Sequence, residues 1–347
     1  MFSFRILLAA SLLEGMVWMP TSFTIYNGEM WGTFSVHEPT RVAYVWSDKR
    51  IAAEKIPLPP DRLGLAVLSI DGDHQWIRVQ NGRDSRVLVR RHDSLGPWRH
   101  VKMNHTAQRG RAFGGKYYCS GARGGTFEAP LFNVTEISAD GTTREWSAAT
   151  PMNGSGPVAW ISRRHSVQYL TASGRLREIR LPLELRDDGS SSSAQPYVIA
   201  VVGDVAYVTK NSQIHEVKSD QTWRRVPGST QLGLYALPDG KRLWMLTGEQ
   251  SRPSLTLYSG KSVRSLELQT LPTPWSGHLI KYHDGVIIVR YRLERVIVAA
   301  VSNDFEYQVL FDRDTDSTVM GNTVTFDGRR VWFWSPKGRL YSSDPVR

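Results

Sequence analysis

The chain of 347 residues holds a single cysteine, Cys119, so it can form no internal disulfide and no cysteine-based zinc site. That fits a reducing compartment, although many exported bacterial proteins also lack disulfides. No apolar run reaches the roughly 18 residues a membrane-crossing helix needs. Acid is short relative to base: 33 Asp and Glu stand against 43 Lys and Arg, a net charge of +10. Short catalytic signatures are also missing. There is no G-x-S-x-G elbow and no H-E-x-x-H pair, and His100 and His105, the nearest couple in the basic stretch, lack a carboxylate beside them. The run from Gly110 to Lys116 matches the spacing G-x-x-x-x-G-K, but Tyr117 follows where a phosphate loop needs Ser or Thr, so it reads as a turn. No catalytic residue, metal ligand or cofactor is expected from these patterns.

What is present is strand-forming material. Hydrophobic residues make up 41% and charged residues 22%, an ordinary globular balance, and 12 Trp and 13 Tyr favour pleated surfaces over helices. Tight-turn glycines recur before aromatic or β-branched clusters at Gly28, Gly72, Gly115, Gly154, Gly203, Gly240, Gly285 and Gly328, at intervals of 44, 43, 39, 49, 37, 45 and 43 residues. Asn-Gly and Asp-Gly between apolar runs mark hairpins, because a type I′ turn needs positive φ at both central positions. A second set of polar corners, Asp48, Asp93, Asp140, Gly174, Asp220, Gly260, Asp304 and Asp344, follows each glycine by 16 to 25 residues. Each unit therefore reads as strand a, tight turn, strand b, looser loop, strand c, turn and strand d.

Four antiparallel strands every ~43 residues predict an all-β chain, a β-propeller of eight four-stranded blades, with seven blades plus an irregular segment as the alternative. One domain over residues 1–347 is expected. The eighth unit stops at Arg347 without a strand d, and the alternating segment Phe2–Leu8 is available to close it. Residues 1–20 thus read as a closing strand, or alternatively as a signal peptide. The first reading favours a cytoplasmic location and the second an exported one. The fourth unit, about 150–185, has a weak strand a in TPMNGSG.

Residues 326–344, FDGRRVWFWSPKGRLYSSD, resemble the repeat of PQQ-type propellers. The corners SADGTTREW, KSDQTW and HDSLGPW resemble degenerate Asp-boxes of sialidase-like propellers. Both resemblances imply the architecture and not an activity. FRIL at residues 4–7 resembles the N-terminal motif of sialidases, with Leu7 in place of its proline, and the rest of that catalytic set has no counterpart here. The regular tryptophan-docking motifs of quinoprotein dehydrogenases are absent.

In a propeller the b–c loops share one face, and cations fall in every one of them. In chain order they are Arg41, Arg83 and Arg86, Arg123, Arg163 and Arg164, Lys210, Arg252, Arg290 with Arg292 and Arg295, then Lys337 and Arg339. Most turn aspartates belong to the opposite face. Between Arg83 and Arg123, ten Lys and Arg stand against Asp84 and Asp93. The expectation is a non-enzymatic binding or scaffold propeller holding an acidic protein or anionic glycan through Arg41, Arg83, Arg86, Arg123, Arg163, Arg164, Lys210, Arg290, Arg292 and Lys337. Nucleic acid is a weaker candidate, since no regular aromatic platform accompanies the basic loops. The alternative is a glycosidase or lyase acting on an anionic sugar. It requires a carboxylate pair, or a tyrosine beside a carboxylate, among those cations at the channel mouth.

Overall fold

The computed structural model describes residues 18–346 apart from 39, 50–52, 58–64, 81–84, 94–95, 126–129, 154–155, 163–164, 187–194, 250, 261, 270, 272–275, 284, 317–322, 336 and 338. The chain is an eight-bladed β-propeller, and its blades are antiparallel sheets whose strands follow one another in sequence order. Blade one holds β1 (Trp18–Tyr26), β2 (Glu29–Glu38), β3 (Thr40–Ser47) and β4 (Glu54–Lys55); blade two holds β5 (Leu65–Asp71), β6 (His74–Gln80), β7 (Arg86–Arg91) and β8 (Arg99–Lys102). Blade three follows with β9 (Arg109–Phe113), β10 (Lys116–Gly125), β11 (Pro130–Ile137) and β12 (Thr143–Ala148), and blade four with β13 (Ala159–Ser162), β14 (Ser166–Leu170) and β15 (Leu176–Arg180). Blade five contains β16 (Tyr197–Val202), β17 (Val205–Lys210), β18 (Gln213–Lys218) and the start of β19 (Trp223–Asp239). That long strand runs on into blade six, which adds β20 (Arg242–Glu249), β21 (Arg252–Tyr258) and β22 (Val263–Glu267). Blade seven is β23 (Ser276–Tyr282), β24 (Gly285–Arg292), β25 (Arg295–Ser302) and β26 (Tyr307–Asp314); blade eight is β27 (Val324–Phe326), β28 (Val331–Trp334) and β29 (Leu340–Ser342).

The chain packs as two compact units, one of Met1–Thr106, Ser276–His278 and Ile287–Arg347, the other of Ala107–Trp275 and Leu279–Val286. In the first unit, the opening strands β27, β1 and β5 lie side by side, and in the second β16 lies beside the later part of β19. The opening strand of a blade is therefore its inner one. Blade eight carries strands a, b and c among the described residues. The expected closing strand Phe2–Leu8, like the signal-peptide alternative over most of 1–20, lies outside them.

Burial follows from this packing. A middle strand is covered on both faces, so β6 and β24 are buried almost throughout, whereas the outer strands β12, β15 and β22 are largely exposed. The glycine ladder corresponds to left-handed turn residues. Asn27 and Gly28, at φ 49° and 70°, form the two-residue link between β1 and β2 that a type I′ turn requires. The second ladder has one geometry in four blades. In Ser138–Thr142, Thr171–Arg175, Lys218–Thr222 and Ser302–Glu306, the first residue's N–H donates to the fifth carbonyl and the fourth N–H to the first carbonyl. The fourth residue is left-handed each time, even where it is Gln221 or Phe305. At the third position, Asp140 and Asp220 each accept from the N–H and hydroxyl of the threonine two residues on, which offsets part of the strain. The Gly110–Lys116 run forms the β9–β10 hairpin, as a turn should.

Within blade seven, His278 on β23 places Nε2 3.1 Å from the Tyr291 hydroxyl on β24. Burial pushes its pKa down to about 4. A folded-state pKa below the unfolded one means that stability is complete above about pH 6.5 and falls as the unfolded chain alone takes up the proton toward pH 4. Urea unfolding of His278→Gln should therefore show a shallower loss of stability than wild type between pH 6.5 and 4.5, by about 1–3 kcal/mol after allowing for partial solvent access. Parallel curves for the two proteins would contradict the assignment.

Candidate functional site

In the first unit, β24 and β25 are joined by Leu293 and Glu294, a turn with neither Gly nor Asn. Leu293 takes φ 49° and is 65% exposed. A left-handed leucine costs of order 1 kcal/mol or more, so the surroundings must enforce it. They do. The Glu294 carbonyl accepts both the N–H and the hydroxyl of Thr315 at 2.8 Å, and Arg295 is paired with Asp312 at 2.6 Å and Asp314 at 3.5 Å. The hairpin tip is thus clamped to the end of β26 and holds Leu293 out beside Arg292, which is half-buried. Lys337 is exposed in the β28–β29 connection, and Arg86 opens β7 half-buried. Arg41 lies at the start of β3, and Arg83 is outside the described residues.

Arg290 departs from the expected surface role. It is 1% exposed, enclosed in β24 near Tyr307, and burial pushes its pKa down. The cause is strand length: β24 continues to Arg292, so position 290 belongs to the strand and not to the loop.

In the second unit, Arg123 is exposed at a β-bulge near the end of β10, and Leu131, across from Gly124, is 60% exposed. Arg252 is exposed at the start of β21. Lys210 is engaged within the fold, its Nζ donating to the carbonyls of Glu184 at 2.9 Å and Arg186 at 2.6 Å. Arg163 and Arg164 lie outside the described residues. Leu131 and Leu293 are exposed residues at these b–c connections that the charge pattern alone does not reveal. The only sequence hint for Leu293 is a hairpin, RYRLER, whose centre lacks any turn-forming residue.

The turn carboxylates are used locally. Asp327 accepts from the N–H groups of Arg329 and Arg330 and from Trp332 Nε1, and Asp239 pairs with Arg242 and Lys281. By contrast Arg123, Arg252, Arg292 and Lys337 make no ion pair with a described residue. Among the described residues no three His, Cys, Asp or Glu side chains gather as a metal site, and no helix is long and apolar enough to cross a membrane.

Two tyrosine–carboxylate pairs occur among the described residues of the second unit. Tyr118 donates to Glu136 at 2.9 Å beside Lys116. Tyr258 donates to Glu216 at 2.6 Å beside Arg224, and Glu216 and Arg224 line a hollow of about 150 Å³ together with Lys218, Thr222 and Trp223. Burial first, and then the adjoining carboxylate, raises both phenol pKa values, the wrong direction for a tyrosine nucleophile. These pairs hold strands together.

No family model matches the chain, and no curated protein matches it. Solved structures do. Sqt1 of Saccharomyces cerevisiae superposes with a TM-score of 0.57 at 11% identity, over 96% of this chain and 97% of that one. The β-propeller domain of the Trilobed protease from Pyrococcus furiosus, described as having an open velcro topology, gives 0.52 at 11% identity over 94% and 96%. The WD40 domain of Toxoplasma gondii coronin gives 0.52 at 9% identity over 81% and 80%. At such identities the likeness concerns the fold alone, and what the chain shares with these proteins is the β-propeller.

Proposed function

We propose that the protein is a non-enzymatic binding propeller in which the b–c connections of each unit, taken separately, bind acidic protein segments. One observation carries this reading: in blade three and again in blade seven, an exposed leucine sits beside an arginine that has no carboxylate partner among the described residues. Leu131 accompanies Arg123, and Leu293 accompanies Arg292. Apolar anchors flanked by cations suit a peptide chain carrying both hydrophobic and acidic side chains. A sugar polyanion or a phosphate backbone has no use for the leucines. The clamped strain at Leu293 supports the same reading, since a left-handed leucine held open to water gains nothing for the isolated fold.

The test uses a fluorescent Glu/Leu-rich peptide as probe, with heparin as comparator. Raising salt from 50 to 500 mM should weaken peptide binding at least tenfold. Reversing Arg123, Arg163 and Arg164 to Glu, or replacing Leu131 and Leu293 by Asp, should do the same. Indifference to salt and to the arginine reversals would defeat the proposal. Heparin binding that ignores the leucine substitutions would replace the protein partner with a glycan.

A further inference from the structure

Blade four is where the repeat breaks down. The strand expected at its inner edge is present only as the segment 149–153. There Ala149 donates to Ile161 and Asn153 to Ala159, without forming a regular strand. Side chains from the neighbouring blades turn into this region. On β9, the inner strand of blade three, Arg109 and Arg111 share one face, being two residues apart. Arg109 donates to the Met152 carbonyl at 3.1 Å, and Arg111 donates to the Gly156 carbonyl. From the other side comes Tyr197, at the start of inner strand β16, with the Arg109 guanidinium 5.3 Å above its ring. A Cβ at Gly156 would lie 2.8 Å from Pro238 of blade six and 3.6 Å from the Val201 carbonyl of blade five, so the chain is closely packed at that glycine.

The charges here do not balance. Neither arginine ion-pairs with a carboxylate of any described residue, and Arg111 Nε is enclosed without a hydrogen-bond acceptor among them. Burial alone, with no acidic neighbour, pushes the Arg111 pKa down to about 10. Two half-buried cations held by carbonyls and the Tyr197 side chain, without a carboxylate, are a costly arrangement for a fold to keep. An enclosed arginine elsewhere in the chain has a carboxylate, as Arg90 has Glu54.

We propose that the inner edge of blade four is an oxyanion site, in which Arg109, Arg111 and the Tyr197 hydroxyl bind a small phosphate-like dianion. Two guanidiniums supply the two positive charges such a ligand matches, and the planar fork of Arg111 offers it the enclosed Nε–H. The site uses none of the b–c cations, so it stands or falls apart from the proposed partner surface.

The probe is inorganic phosphate, with sodium chloride at equal ionic strength and sodium acetate as comparators. Phosphate should raise the Tm saturably, beyond chloride and acetate. Arg111→Met should abolish that rise while leaving the Tm in phosphate-free buffer equal to wild type or higher, because a desolvated cation has been removed. Tyr197→Phe, which keeps the ring and both arginines, should weaken phosphate binding several-fold by calorimetry and stay folded. A phosphate response no greater than that of chloride or acetate would overturn the proposal. So would an Arg111→Met protein that keeps the response, or one that loses stability while Tyr197→Phe binds phosphate like wild type; in that last case Arg111 only braces the Gly156 carbonyl.

Discussion

Replacing Trp334 by alanine is expected to destabilise the protein by about 3–5 kcal/mol, a fall in Tm of roughly 6–15 °C for a cooperative unit of this size. The indole ends β28 and fills the seam between blades eight and one, inside the first unit. It meets Phe23 edge-on at 6.1 Å, Phe34 at 6.3 Å and Trp46 at 5.9 Å, and those residues form one buried cluster with Met30. Aromatic side chains dominate cores through their area, and edge-on pairs add to it. The seam also explains a glycine. A Cβ at Gly32 would lie 2.8 Å from the indole and 3.2 Å from the Ser22 carbonyl, and neither is the loose end of a flexible chain. Gly32→Val should therefore cost about 1–3 kcal/mol through overpacking. Trp332 serves as the control, since its face is half-open and its Nε1 is tied to Asp327. Chemical denaturation of the three variants measures the ranking. A loss below 1 kcal/mol for Trp334→Ala would mean that blades eight and one do not depend on this contact.

The seam was partly legible in the sequence and partly not, and the reasons are physical. The turn ladders survive translation into coordinates because Gly28, Gly72, Gly203 and Gly240 hold positive φ, which no packing can substitute cheaply. The five-residue corners around Asp140 and Asp220 are equally local, since one carboxylate and the threonine two residues on define them. What escapes is whatever depends on where a strand ends. Arg290 looks like a loop cation until β24 is seen to run two residues further, and a middle strand covered on both faces then encloses it. Leu293 carries no turn signal because its conformation is imposed from outside, by Thr315 and the Asp312 and Asp314 pairs. The basic loops were readable as charge, but whether each cation is spent on a carbonyl, as Lys210 is, follows only from tertiary contacts. Likewise the weak opening of the fourth unit was visible, while the convergence of Arg109, Arg111 and Tyr197 upon it required three blades to be placed.

Glu54→Leu should cost about 3–5 kcal/mol, and Arg90→Met distinctly less, although the two side chains form a single ion pair. The asymmetry comes from solvent. Arg90 has a side chain only 1% exposed, whereas that of Glu54 is 43% exposed. The guanidinium donates through Nη1 to both Glu54 oxygens at 2.7 Å and through Nε to Gln75 at 2.8 Å, and it stacks 4.0 Å above Trp98, whose Nε1 also reaches Glu54 at 3.1 Å. Removing the carboxylate therefore leaves a cation deep between blades one and two, deprived of the charge that justified its burial. Removing the arginine instead leaves a carboxylate that water can solvate, together with the Gln75 amide, which still has the His92 ring at 3.0 Å. The cost is then mostly lost packing on the indole, about 1–2 kcal/mol. In a double-mutant cycle, Glu54→Leu with Arg90→Met should recover stability relative to Glu54→Leu alone, since the enclosed cation is gone. Raising salt from 0.05 to 0.5 M should change the coupling little, because the pair's inner member is shielded from counterions. Arg90→Lys should not rescue, as an ammonium cannot span Glu54 and Gln75 while lying flat on Trp98. Equal losses for the two single variants would show that exposure of the carboxylate does not decide the energetics of this bridge.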